Sequence, residues 1–101
     1  MRRVEEYIRV HASEPLDISL LAAVAGVSAR SLHSGFSRFL GSTPMNYLRD
    51  VRLDHARVEL IQTGEPVGTI ALRWGFAHAG RFSAEYRQRF GENPAETRRG
   101  R

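Results

Sequence analysis

Apolar residues recur along this chain at helical spacing and show no period-two alternation, so the pattern predicts helices and no strand. Val4, Tyr7 and Ile8 fall on one side of residues from about 3 to 12, with Glu5, Glu6 and Arg9 opposite, which predicts a first amphipathic helix. Pro15 ends it, and Ser19 is placed to cap a short apolar helix, "LLAAVAG", that runs to Gly26. Gly26 supplies a turn, Ser28 a cap, and "ARSLHSGFSRFL" a third helix closed by Gly41. Ser42 or Thr43 then caps a helix starting at Pro44, a position where the missing N–H costs nothing, and no breaker follows until Gly64. This helix of about 19 residues, roughly 28 Å long, is the longest element. Leu48, Arg52, Ala56 and Leu60 step along one side of it, with Leu53 and Ile61 beside them. Beyond "GEP" come a short helix at "VGTIALRW", a turn at Gly75, a helix at "GRFSAEYRQRF" closed by Gly91, and a last short helix from Pro94. The expected fold is all-α, with about seven helices in a single domain over residues 1–101.

Much of this pattern is written twice. Leu32, Phe36, Leu40, Gly41 and Pro44 share their internal spacing with Phe82, Tyr86, Phe90, Gly91 and Pro94, fifty residues on. Upstream, Leu21, Ala22, Gly26 and Val27 match Ile70, Ala71, Gly75 and Phe76. Each copy is a short apolar helix, a glycine turn and a longer helix with an i, i+4, i+8 apolar stripe. That is the layout of a helix-turn-helix, whose second helix can lie in a DNA major groove. One copy arises by accident in many helical bundles; two in tandem with the same spacing are far more specific. The first is expected over about 19–41, a linker helix over about 43–62, and the second over about 67–91. A linker of roughly 28 Å compares with the turn of B-DNA, about 34 Å, so the two copies are expected to address adjacent major grooves.

Composition removes several alternatives. A chain of 101 residues, 42 % hydrophobic and 26 % charged, fits one small globular domain, which favours a contact surface over a deep walled site. Without cysteine there is no thiol nucleophile, disulfide or thiolate metal site, and His11, His33, His55 and His78 do not stand at metal-ligand spacing. No grouping of serine, histidine and acid suggests catalysis, so neither an enzyme nor a cofactor is expected. No stretch approaches the ~18 to 20 apolar residues of a membrane span, and a soluble, cytoplasmic protein with no membrane partner is expected. Trp74 and Phe76 flank the second turn and are expected in the core. Charge is more telling: 15 basic residues against 11 acidic give +4 and a pI of about 10.6, and every basic residue is arginine. The guanidinium fork suits phosphate oxygens and the N7 and O6 of guanine, which points to a nucleic acid.

The stretches "LAAVAGVSARSLHSGFSRFLGSTPMNYLRDVRLDHA" and "IALRWGFAHAGRFSAEYRQRFGENPAETRR" resemble the AraC/XylS family of bacterial transcription regulators. Arg52, Leu53 and Ala56 carry its "RL..A" and Gly75 and Phe76 its "GF", and the resemblance extends from about residue 4 to 98. It implies seven helices in two homeodomain-like helix-turn-helix subdomains joined by a long linker helix. It further implies sequence-specific binding to double-stranded promoter DNA, usually activating transcription, with RNA polymerase as a second partner. Most members carry this domain at the C-terminal end of a longer chain with an effector-binding or dimerisation domain, so an excised domain or a short stand-alone member is expected.

A wheel of the third helix centred on Leu32 and Phe36, with Ala29, Phe39 and Leu40 beside them, leaves Arg30, Ser34, Ser37 and Arg38 on the far face. Ser31 and His33 flank that face. The resemblance puts base readers at Arg30, His33 and Ser34, with Arg30 the candidate for a bidentate guanine contact; Ser31, Ser37 and Arg38 are phosphate candidates. The equivalent face of the second copy is Gly80, Ser83, Ala84 and Arg87, where many members present longer polar or basic side chains. Ser83 and Ala84 are its base candidates, Ala84 only through a thymine methyl, while Gly80 and Arg87 are expected near phosphate. Arg81 is either a base contact or a partner of Glu85 one turn later. The first copy is therefore expected to discriminate sequence and the second to hold backbone and read shape. A protein-interaction module that contacts polymerase without reading DNA is the alternative; the arginines of the third helix and of the tail, Arg98, Arg99 and Arg101, favour DNA.

Overall fold

The computed structural model describes residues 2–100, so Arg101, the last residue of the basic tail, lies outside the described residues. Seven α-helices and no strand occur among them: α1 Arg2–His11, α2 Ile18–Ala25, α3 Ala29–Leu40, α4 Pro44–Gln62, α5 Val67–Arg73, α6 Ala79–Phe90 and α7 Pro94–Gly100. No helix among these residues is long and apolar enough to cross a membrane.

Local chemistry sets the boundaries. Asp17, not Ser19, caps α2: its carboxylate accepts from the Leu20 N–H at 2.8 Å and places negative charge at the positive end of the helix. Ser28 caps α3 through the Ser31 N–H at 3.1 Å, and Thr43 caps α4 through the Asn46 N–H at 3.1 Å. At α7 the Asn93 side chain accepts from the Glu96 N–H while Glu96 accepts from the Asn93 N–H, a reciprocal capping box. Four glycines hold positive φ, Gly26 at 71°, Gly41 at 64°, Gly75 at 87° and Gly91 at 78°. They are the two glycine pairs of the repeat, so the repeated letter marks backbone that a Cβ would strain.

The chain separates into two compact units that divide within α4, between Val51 and Arg52. In the first, α2 packs against α1 and α3, and Val4, Ile8, Leu16, Leu21, Leu32, Phe36 and Leu48 are all buried. The edge of the Phe36 ring meets Tyr47 at 5.8 Å. In the second, Leu53, Ala56 and Leu60 of α4, Ile70 and Ala71 of α5, and Phe82 and Tyr86 of α6 form the core, with Trp74 and Phe76 packed against it as expected. An aromatic run from Phe76 through Phe82 and Tyr86 to Phe90 proceeds with centroid spacings of 4.9, 5.7 and 4.6 Å. The Tyr86 hydroxyl donates to Thr97 at 2.7 Å and Thr97 donates to Glu92, which fastens α7 beneath α6.

The apolar stripes differ at their ends. Leu32 and Phe36 are sealed, but Phe39 is 70 % exposed and Leu40 38 % exposed, against their expected place beside the core. Burial along α3 stops at Phe36, so the last turn of the helix stands clear of the core. In the second copy Phe90 is half-buried beneath Arg57 and Arg89, whose guanidinium carbons sit 5.4 and 5.6 Å from its ring centroid.

Candidate nucleic-acid interface

Burial of Leu32 and Phe36 fixes the rotation of α3 and turns Arg30, Ser31, His33, Ser34, Ser37 and Arg38 outward, where all six are exposed. The helix carries no acid. Among the described residues no side-chain hydrogen bond or ion pair holds Arg30, His33, Ser34, Ser37 or Arg38. Ser31 is prepared differently. Its N–H donates to the Ser28 hydroxyl, which donates on to the Ser31 hydroxyl at 3.1 Å and leaves the Ser31 proton to point elsewhere.

Two open notches run along this surface. One, of about 360 Å³, is lined by Arg30, Ser31, Ser34, Gly35, Arg38 and Phe39. The other, of about 540 Å³, is lined by His33, Ser34, Ser37, Arg38 and Thr43. The structure thus gathers every candidate of the first copy on one face. It adds three residues that the pattern did not: Thr43, legible only as a cap, and Phe39 and Gly35, both read as lying beside the apolar stripe and Gly35 as room for the preceding helix.

On α6 the corresponding surface is thin. Gly80, Arg81, Ala84 and Arg87 are exposed and Ser83 is half-buried. A Cβ at Gly80 would meet nothing within 4 Å, so packing does not require that glycine. Arg81 pairs with Glu85 at 3.6 Å while 76 % of its side chain stays exposed, a loose pair that leaves the guanidinium accessible. Arg87 is exposed and makes no ion pair or side-chain hydrogen bond among the described residues.

Other arginines are engaged in holding the second unit. Arg73 bonds Glu59 and Glu65, tying α5 to α4 and to the connection between them; its hydrogen bond keeps the Glu65 carboxyl below the usual carboxylate range. Arg89 clasps Asp54 with two bonds of 2.8 and 3.0 Å. Arg98 donates to the carbonyls of Leu60 and Thr63 at 3.2 and 3.3 Å, capping the C-terminal end of α4, which draws it out of the basic tail. Arg52 lies under the second turn, its guanidinium nitrogen 3.0 Å from where a Gly75 Cβ would stand, and burial lowers its pKa. The "RL..A" arginine therefore serves the turn.

The helix-turn-helix domain family matches residues 21–100. The probable thc operon regulatory protein of Rhodococcus erythropolis is 44 % identical over 99 residues, covering 95 % of this chain and 30 % of that protein. XylDLEGF operon transcriptional activator 2 of Pseudomonas putida is 38 % identical over 98 residues, covering 94 % and 62 %. The chain thus spans less than two thirds of the length of these curated relatives. Among solved structures, a probable AraC family transcriptional regulator from Rhodopseudomonas palustris CGA009 superposes with a TM-score of 0.92 at 40 % identity, over 97 % of this chain and 93 % of that one. The DNA-binding domain of the global transcriptional factor AdpA, in complex with a target DNA, gives 0.88 at 28 % identity over 98 % and 89 %.

Proposed function

The chain belongs to the AraC/XylS family of helix-turn-helix transcription regulators, and on that premise we propose that it binds double-stranded promoter DNA sequence-specifically, with α3 and α6 entering adjacent major grooves. It is a DNA-binding domain of a transcription regulator and not an enzyme. The observation that carries sequence-specific reading is the partition of α3. Leu32 and Phe36 are sealed in the core, while an acid-free face of Arg30, His33, Ser34 and Arg38 stands exposed with no partner among the described residues. The duplicated helix-turn-helix and the unbroken 19-residue α4 support the two-groove reading.

In this reading Arg30 forks onto a guanine, with His33 and Ser34 contacting neighbouring bases and Ser31, Ser37 and Arg38 holding phosphates. On α6, Arg81, Ser83 and Ala84 offer sparse base contacts and Gly80 and Arg87 lie at the backbone, so the second copy contributes more to affinity than to discrimination. Activation through RNA polymerase is the proposed outcome at the promoter, a reading supported by the activator named among the relatives. Selection of bound duplexes from random DNA, followed by mutation of each half-site, tests the proposal. The half read by α3 is expected to carry the larger loss; equal losses refute unequal reading, and no enrichment of any sequence refutes specific binding. Arg30→Ala is expected to cost about 1 to 3 kcal/mol and to relax preference at one base pair.

A further inference from the structure

Ser31, Gly35 and Phe39 step four residues at a time along one edge of α3, and the middle position has no side chain. The gap is the notch of about 360 Å³, and its border has a definite chemistry. Arg30 and Arg38 bring two guanidinium groups with no acid on the helix. The Ser31 hydroxyl, already accepting from Ser28, has its own proton to donate. Phe39 presents an aromatic ring that is 70 % exposed, apolar area left in water on an otherwise polar rim. Positive charge, an O–H donor and an apolar surface side by side match a phosphate with its sugar attached.

The second copy sharpens the contrast. The same row there is Arg81, Glu85 and Arg89, long charged side chains in which Glu85 meets Arg81 and Arg89 meets Asp54. The gap and the exposed ring belong to the first copy's sequence, not to the shared scaffold.

We propose that the notch over Gly35 seats one backbone phosphodiester of double-stranded DNA, with Arg38 and Ser31 on its oxygens and Phe39 against the adjoining deoxyribose. The seat rests on the DNA-binding reading above and deepens it. A phosphate held at one point of the reading helix sets the register in which Arg30, His33 and Ser34 meet base edges.

Duplexes selected by the protein from random DNA, each with a single uncharged methylphosphonate linkage, are titrated by fluorescence anisotropy against wild type, Arg38→Ala, Gly35→Ala and Phe39→Ala. One linkage in the half-site read by α3 is expected to weaken wild-type binding about tenfold, and the same linkage to weaken Arg38→Ala less than about twofold. Gly35→Ala and Phe39→Ala are expected to lose affinity several-fold for all selected sequences alike, with helix content by circular dichroism unchanged. Phe39→Ala, at an exposed position, carries the test if Gly35→Ala disturbs the fold. Tight binding by wild type with no linkage coupled to Arg38 overturns the seat and leaves the DNA reading standing. Absence of binding to any selected duplex overturns both.

Discussion

Arg87 and Arg89 stand two residues apart on α6, identical in chemistry, and the structure predicts opposite consequences for losing them. Arg89 is bidentate to Asp54 at 2.8 and 3.0 Å and lies over the Phe90 ring at 5.6 Å. Both partners of the pair are partly solvated, with 36 % and 51 % of their side chains exposed, which limits it to about 0.5 to 1 kcal/mol. The ring contact adds about 0.5 kcal/mol. Arg89→Ala should therefore cost about 1 to 1.5 kcal/mol of stability, and each kcal/mol lowers the melting temperature of a small domain by roughly 4 to 8 °C. Trp74, the chain's single tryptophan, lies in the same unit and reports the transition by fluorescence. Arg87→Ala removes an exposed side chain with no partner among the described residues, so stability should move by less than about 0.5 kcal/mol. Under the proposed function its effect should fall on DNA binding. Losing one phosphate contact should flatten the slope of log affinity against log salt by about 0.9, so the gap from wild type closes about threefold between 50 and 200 mM salt. Titrations on selected and unrelated duplexes across that range make the comparison. A flattened slope for Arg89→Ala, or an unchanged slope for Arg87→Ala, refutes the division of α6 arginines into those that hold the fold and those that meet DNA.

Three further outcomes test the scaffold. Gly75→Ala should destabilise the second unit by more than the roughly 1 to 2 kcal/mol of a left-handed Cβ, because the new carbon also meets Arg52 at 3.0 Å; Gly26→Ala, with open space around it, should cost only the backbone term by urea unfolding. Tyr86→Phe should cost about 1 to 2 kcal/mol by leaving the buried Thr97 hydroxyl without its donor. Burial also raises the Tyr86 phenol above its ordinary value. Its contribution is therefore full below about pH 10 and is lost as pH rises through the folded value, so wild-type urea midpoints should fall more steeply at alkaline pH than those of Tyr86→Phe. Asp17→Ala should destabilise by about 0.5 to 2 kcal/mol while Ser19→Ala leaves stability nearly unchanged, as thermal melts of the two variants will show.

Sequence alone determined what depends on neighbours a few residues away. The seven helices, the proline starts at Pro44 and Pro94, and the duplication all follow from periodicity and punctuation, and Gly26, Gly41, Gly75 and Gly91 could be marked as turns without any coordinates. The outward face of α3 was equally legible, because a helix that buries Leu32 and Phe36 must expose Arg30, Ser34 and Arg38. The cap of α2 was misread: the pattern pointed to Ser19, and the backbone geometry puts Asp17 there instead. Tertiary structure alone decided which charges and which apolar groups are engaged. Arg89 finds Asp54 across 35 residues of chain and Arg98 finds Leu60 across 38, distances at which no helical period carries information. Phe39 stands in solvent beside a stripe whose Leu32 and Phe36 are sealed, because what covers a stripe is set by the elements packed on it and not by the stripe itself.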